Sequence, residues 1–183
     1  MIKKVIPFVH NKLKEIITTD DYVVDGTCGN GYDTLFLARL ARKVYAFDIN
    51  EQAIENTQER MNRNRIYNVE LINDSHSNLD NYVEEDIKAA VFNLGFLPGS
   101  DERYVTKGES TIKAIKIVQE KLVQGGLICL VVYTGKFGGE EESSELLDYV
   151  ATLDYDKYNV IKYCYYNKEK APYVIIIEKN KRV

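Results

Sequence analysis

The sequence predicts an α/β fold: a mostly parallel sheet of seven strands with helices on both faces, closed by a C-terminal antiparallel hairpin. Three observations predict it. Short apolar runs alternate with helical patterns five times along the chain, as βα units of a parallel sheet do. The last two β-rich runs are joined by a short polar connection with no helix, which suits an antiparallel pair. Polar residues stand where strands end, at Asp25, Asp48, Asp74 and Asn93. Open α/β sheets bind ligands beyond the carboxyl ends of their strands.

Each element has its own signal. Tyr22-Val23-Val24-Asp25 is a short apolar run that enters glycine-rich sequence. Tyr32 to Ala41 sets Leu35, Phe36, Ala38, Leu40 and Ala41 in a helical pattern, and Lys43 to Asp48 is the second strand. Asn50 to Asn62 reads as a helix, because Asn50 is a good N-cap and Glu51 puts an acid in the first turn. Val69 to Ile72 and the nearly all-apolar Ile87 to Leu94 are the third and fourth strands. Gly108 to Val123 spaces Ile112, Ile115, Val118 and Leu122 by three and four residues, a helix face. Gly125-Gly126 breaks it. Leu127 to Tyr133 lacks polar alternation, as a strand buried on both faces should. Glu140 to Leu153 is helical, and Tyr158 to Tyr166 with Tyr173 to Glu178 forms the closing hairpin.

Composition bounds the rest. The 183 residues suit one domain spanning 1–183, and 45% hydrophobic content with 14 Tyr and 6 Phe excludes a disordered chain. No apolar run approaches the roughly 20 residues of a membrane helix, and no long apolar stretch follows the N-terminal charges, so a cytoplasmic location without a membrane partner is expected. Cys28, Cys129 and Cys164 include no close pair, which argues against disulfides and a zinc site and fits a reducing compartment. Net charge is −4, from 24 basic and 28 acidic residues, so bulk charge does not favour a polyanion. Yet Lys157 to Val183 holds seven Lys/Arg against two Asp/Glu, and Arg60, Arg63 and Arg65 cluster. These read first as solvated faces, with room for a basic surface on one side.

The chemistry-bearing stretch is Asp25-Gly26-Thr27-Cys28-Gly29-Asn30-Gly31, followed by a helix. Glycines let the backbone turn sharply and pass close to a ligand. Counting from Gly29 and Gly31 puts Thr34 where a dinucleotide fingerprint needs its third glycine. An acid four residues before the G-x-G is instead similar to motif I of Rossmann-like methyltransferases that use S-adenosylmethionine, with Thr27 in place of the first glycine. For this loop alone, an ordinary βα turn is an equally good reading. Asp48, ending the second strand, suits both ribose hydroxyls, although a helix N-terminal acid reads the same way. Asp74-Ser75-His76 follows the third strand, where an adenine amino group would lie. Asn93-Leu94-Gly95-Phe96-Leu97-Pro98-Gly99 follows the fourth and resembles the N-P-P-Y motif of amino-directed methyltransferases. An Asn oxygen accepts an amine N–H and aims the nitrogen lone pair, and an aromatic stacks on an attached base. Thr106, Ser110 and Thr111 read as caps of the following helix.

Together, Val24 through Ala38, Asp74-Ser75-His76, Phe92 through Gly99, Tyr133-Thr134-Gly135 and Gly138 through Glu141 resemble the signature of a family long described as rRNA methylases. Its members are understood as tRNA wobble-uridine methyltransferases (MnmM or YtqB-like proteins). The resemblance runs from about His10 to Lys179. It implies the Rossmann-like class I methyltransferase fold, S-adenosyl-L-methionine as cofactor, the tRNA anticodon stem-loop as partner, and conversion of 5-aminomethyl-(2-thio)uridine to its 5-methylaminomethyl form. It also implies that Asn30, Asp33, Asp48, Asn50, Ser75 and His76 form the cofactor shell, on the same loops as Asp25, Thr27, Gly29, Gly31 and Asp74. Asn93 and Tyr133 fall on the catalytic, substrate side, with His10 and Phe96 as substrate-binding residues. Gly26 stands where the family commonly has Ala, expected to be harmless, Asn50 where Gln is common, and Lys136 where His is common. A small-molecule or protein amine is the alternative substrate. A non-catalytic adenosyl-binding module is a third reading, and a nicotinamide dehydrogenase the weakest. A homodimer is left open.

Overall fold

The computed structural model describes residues 1–95, 107–135 and 139–181. Its helices are α1 (Val5–Ile16), α2 (Tyr32–Ala38), α3 (Glu51–Arg63), α4 (Gly108–Lys121) and α5 (Gly139–Ala151), with a 3-10 helix at His76–Asn81. Its strands are β1 (Tyr22–Asp25), β2 (Lys43–Phe47), β3 (Val69–Ile72), β4 (Ile87–Leu94), β5 (Leu122–Val132), β6 (Tyr158–Tyr163) and β7 (Tyr173–Lys179). The sheet runs β3-β2-β1-β4-β5-β7-β6. The first five of these strands are parallel, while β7 pairs antiparallel with β5 and with β6.

Strand periodicity divides the core. Val23, Val44, Ala46, Ala89, Val91, Cys129 and Val131 point to the face covered by α1 and α2, against Val5, Val9, Leu13 and Leu37. Val24, Tyr45, Phe47, Ala90, Phe92, Leu130 and Val132 point to the other face, against Ala114, Ile115 and Val118 of α4 and Leu146 of α5. A period of two therefore sends Asp25, Asn93 and Tyr133 toward the α1/α2 side. Strand order reverses at β1, flanked by β2 and β4, and a ligand crevice opens at such a switch point.

Two elements differ from the sequence reading. The α2 helix stops at Ala38, and Leu40 and Ala41 bond back to Leu37 in a tight turn. The β5 strand begins at Leu122, before the Gly125-Gly126 pair. Its register against β4 jumps from Ile87↔Leu122 to Ala89↔Leu127. The glycines sit in that bulge, Gly125 at φ +72°, and a Cβ on Gly126 would lie 2.8 Å from the Lys88 carbonyl oxygen. The glycines therefore do not break the helix, which ends at Lys121 before them rather than at Val123; they allow the bulge inside a strand. Pro7 sits in the first turn of α1, where the missing N–H would have had no helical partner.

Candidate functional site

The β1–α2 loop is stitched to three strands. Gly26 N–H donates to Val91 O of β4 at 2.8 Å and Cys28 N–H to Phe47 O of β2 at 2.9 Å. Gly29 and Gly31 hold φ of +53° and +78°, left-handed values that disfavour a Cβ. At Gly31 a Cβ would also meet Thr57 at 2.9 Å. Gly26 is confined differently: a Cβ there would come within 2.3 Å of the Phe92 ring. Glycine at position 26 leaves the space that Phe92 fills, so an alanine there would require the Phe92 ring to move.

Asp25 lies beneath this loop, wholly buried. Its Oδ1 accepts from Thr27 N–H at 3.2 Å and its Oδ2 from Thr34 Oγ1 at 2.7 Å. Burial, with the nearby Asp33 charge, pushes its carboxyl up to about 7. It shapes the loop from below rather than lining a crevice. Thr27 Oγ1 in turn accepts from Asn93 N–H at 2.7 Å, which ties the loop to the end of β4. Asn30 is turned toward α3: its Oδ1 accepts from Asn56 Nδ2 at 3.0 Å and its carbonyl from Arg60 Nε at 2.6 Å.

Asp48 ends β2 as expected. Its oxygens accept from Gly29 N–H and Asn50 N–H, each at 3.0 Å, and burial raises its pKa. Each carboxylate oxygen keeps a second lone pair for a hydroxyl donor. Asn50 caps α3 by accepting from Gln52 N–H at 3.0 Å. Between them Ile49 is an exposed apolar side chain, a face on which a purine ring can pack. Asp74 is committed locally, accepting from Ser75 N–H, Asn78 Nδ2 and Tyr82 O–H. The Tyr82 bond holds its carboxyl below the usual range. Ser75 caps the 3-10 helix. His76 Nδ1–H donates to Gly26 O at 2.8 Å, burial holds the imidazole neutral by lowering its pKa, and its Nε2 is a buried acceptor without a partner. Thr134 Oγ1 is likewise buried and unpartnered.

A second cluster lies on the α1/α2 side. Asp33, in the first turn of α2, meets His10 Nε2 at 2.7 Å through Oδ1 and Asn93 Nδ2 at 3.3 Å through Oδ2. The His10 ring stacks on Phe36 at 3.8 Å and 3°. Tyr133 is partly exposed beside it, and its partial burial together with the Asp33 charge raises the pKa of its phenol. So the residues fall into two groups: Gly29, Gly31, Asp48, Asn50 and His76 around the loop, and His10, Asp33 and Asn93 joined directly. Phe96, Thr106 and Lys136 lie outside the described residues. Sequence reasoning missed Arg60, Thr57, Tyr82 and Phe36, because their partners are 8 to 30 residues away and no local pattern links them.

The first group fits an adenosyl sulfonium ligand. It offers a ribose-type carboxylate, a glycine cradle, an apolar ledge at Ile49 and an orphaned neutral acceptor at His76. Among the described residues no group of three or more His, Cys, Asp or Glu is gathered for a metal, and no helix is long and apolar enough to cross a membrane.

Comparison with known proteins agrees with this geometry. The model of the family described as "Putative rRNA methylase" matches residues 44–179. The chloroplastic tRNA (mnm(5)s(2)U34)-methyltransferase of Arabidopsis thaliana is 32% identical, over 97% of this chain and 70% of its own length. A crystal structure from Streptococcus mutans, described as a "putative methyltransferase" in complex with SAH, is 40% identical with a TM-score of 0.93, covering 98% of this chain and 99% of that one. An rRNA methylase from Streptococcus thermophilus is 38% identical with a TM-score of 0.87, covering 99% of both chains.

Proposed function

Since the chain belongs to the rRNA methylase family and is an S-adenosylmethionine-dependent methyltransferase, we propose that it methylates the amine of 5-aminomethyl-(2-thio)uridine at the tRNA wobble position. The relative that carries this reading acts on U34 of tRNA by its own name. What supports it within the chain is Asn93 at the end of β4. Its amide N–H points to Asp33, which leaves its oxygen as the end available to an amine N–H.

In this reading Gly29, Asp48, Ile49 and His76 hold S-adenosylmethionine, which when bound supplies the activated methyl. The chain's own work is positioning and desolvation. Asn93 orients the amine, and Tyr133, exposed above Gly95, flanks the entering nucleoside. The amine must be neutral, because an ammonium has no lone pair. A wobble base is already single-stranded, so little unpairing energy opposes its entry.

Purified protein with radiolabelled S-adenosylmethionine and tRNA with or without the wobble aminomethyl group tests the reading. Label is expected only on the aminomethylated nucleoside. Label on neither tRNA, with cofactor binding intact, would reject this substrate and favour a small-molecule or protein amine. Asn93→Ala is expected to lower turnover about 100-fold while cofactor affinity holds. Equal loss of both would remove Asn93 from the substrate side.

A further inference from the structure

The resemblance groups Asp33 with the cofactor residues, but its contacts lie elsewhere. Both of its oxygens face residues on the substrate side of the proposed reaction: His10 on α1 and Asn93 on β4. An ionised carboxylate only accepts, so the hydrogen in the 2.7 Å contact is carried by His10 Nε2. The ring of His10 is pinned flat against Phe36, which fixes the direction of that donor. The Asp33 side chain is 12% exposed, so water screens it only in part.

We propose that Asp33, held in place by His10, is the proton acceptor for the substrate amine. This rests on the amine reading above. The substrate's ammonium N–H bond breaks and its proton passes to an Asp33 carboxylate oxygen. The freed nitrogen lone pair forms the N–C bond as the donor's C–S bond breaks. The products are a secondary ammonium and a neutral thioether, and Asp33 then returns its proton to water. Asn93 keeps the amine beside the carboxylate, because its amide bridges the two.

The surroundings suit the role. Among the described residues, the ionisable groups facing Asp33 are His10 from α1, Asp25 from β1 and Tyr133 just after β5, while β4 presents the neutral Asn93. Asp25 is fully buried with both oxygens committed to Thr27 and Thr34, so it is closed to substrate. Tyr133 is pushed toward its neutral form and does not compete for the proton. Asp33 is therefore the carboxylate of this group that is placed beside Asn93 with a lone pair to spare.

The test is single-turnover methyl transfer to an aminomethylated anticodon stem-loop across pH, for the native enzyme, Asp33→Asn, Asp33→Glu and His10→Gln, with S-adenosylmethionine affinity measured for each. Asp33→Asn is expected to be about 100-fold slower at neutral pH. It should recover as pH rises and the amine loses its proton unaided, with cofactor affinity unchanged. Asp33→Glu, which keeps a base, should regain part of the rate. His10→Gln, which keeps a donor to Asp33, should retain the native pH profile. A loss in Asp33→Asn that is the same at every pH, or that matches a loss of cofactor affinity, would overturn the proposal and return Asp33 to the cofactor shell. Failure of the native enzyme on this stem-loop would instead reject the wobble-amine reading, and this proposal with it.

Discussion

Asp25 and Asp33 are two carboxylates of one site with different fates, set by depth. Asp25 is sealed under the loop, and burial is the main cause that pushes its carboxyl up to about 7. An unfolded aspartate titrates near 3.8, so between these values the folded chain binds a proton that the unfolded chain has released. Asp25 therefore lowers stability progressively as pH rises from about 4 to about 7. Asp25→Asn can accept from Thr27 and donate to Thr34. It is expected to stay folded and to melt at a less pH-dependent temperature across that window. Thermal melts from pH 4 to 8 check this, and a native-like slope in the variant would contradict it.

At the scale of elements, the cofactor loop is held by α3 as much as by its own glycines. The Arg60 guanidinium lies 3.7 Å over the Tyr32 ring and Nε donates to the Asn30 carbonyl at 2.6 Å. Thr57 Oγ1 donates to the Gly29 carbonyl at 3.0 Å. A charged hydrogen bond contributes about 1.5–3 kcal/mol. Arg60→Ala is expected to lower the melting temperature by several degrees, at about 3 °C per kcal/mol, and to weaken S-adenosylhomocysteine binding about tenfold. Calorimetric titration reads the second effect. Native affinity in the variant would show that the loop keeps its shape without α3. The α1 helix has a comparable part on the other side: Val5, Val9 and Leu13 bury it on the sheet, and that packing carries His10 to Asp33.

For the whole molecule, charge and fold point in different directions. Net charge is −4, and several surface cations are already paired, as Lys43 is with Glu70 and Arg63 with Glu59. The acidic balance opposes a broad phosphate track, so counterion replacement on RNA falls to local basic surface such as the seven Lys/Arg of Lys157 to Val183. Affinity for an anticodon stem-loop is expected to fall only shallowly with salt, with a log–log slope of about −2 to −3. Filter binding from 50 to 300 mM salt measures it. A slope steeper than about −6 would mean an extensive phosphate track.

The sequence by itself determined the alternation of strands and helices, the hairpin at the end, and the polar residues at the strand ends. These are local or periodic signals, and apolar spacing and glycine turns act within a few residues. Asp48 and Asn50 were legible for that reason, as an acid at a strand end followed by a helix cap. Tertiary structure alone decided which polar residues meet. Asp33 lies two residues from Gly31 in sequence, yet helix geometry turns it to His10 and Asn93, 23 and 60 residues away. Asn30 sits inside the motif, yet its side chain goes to Asn56 on α3. A side chain's direction follows from the packing of whole elements, and a motif records only which residues share a loop.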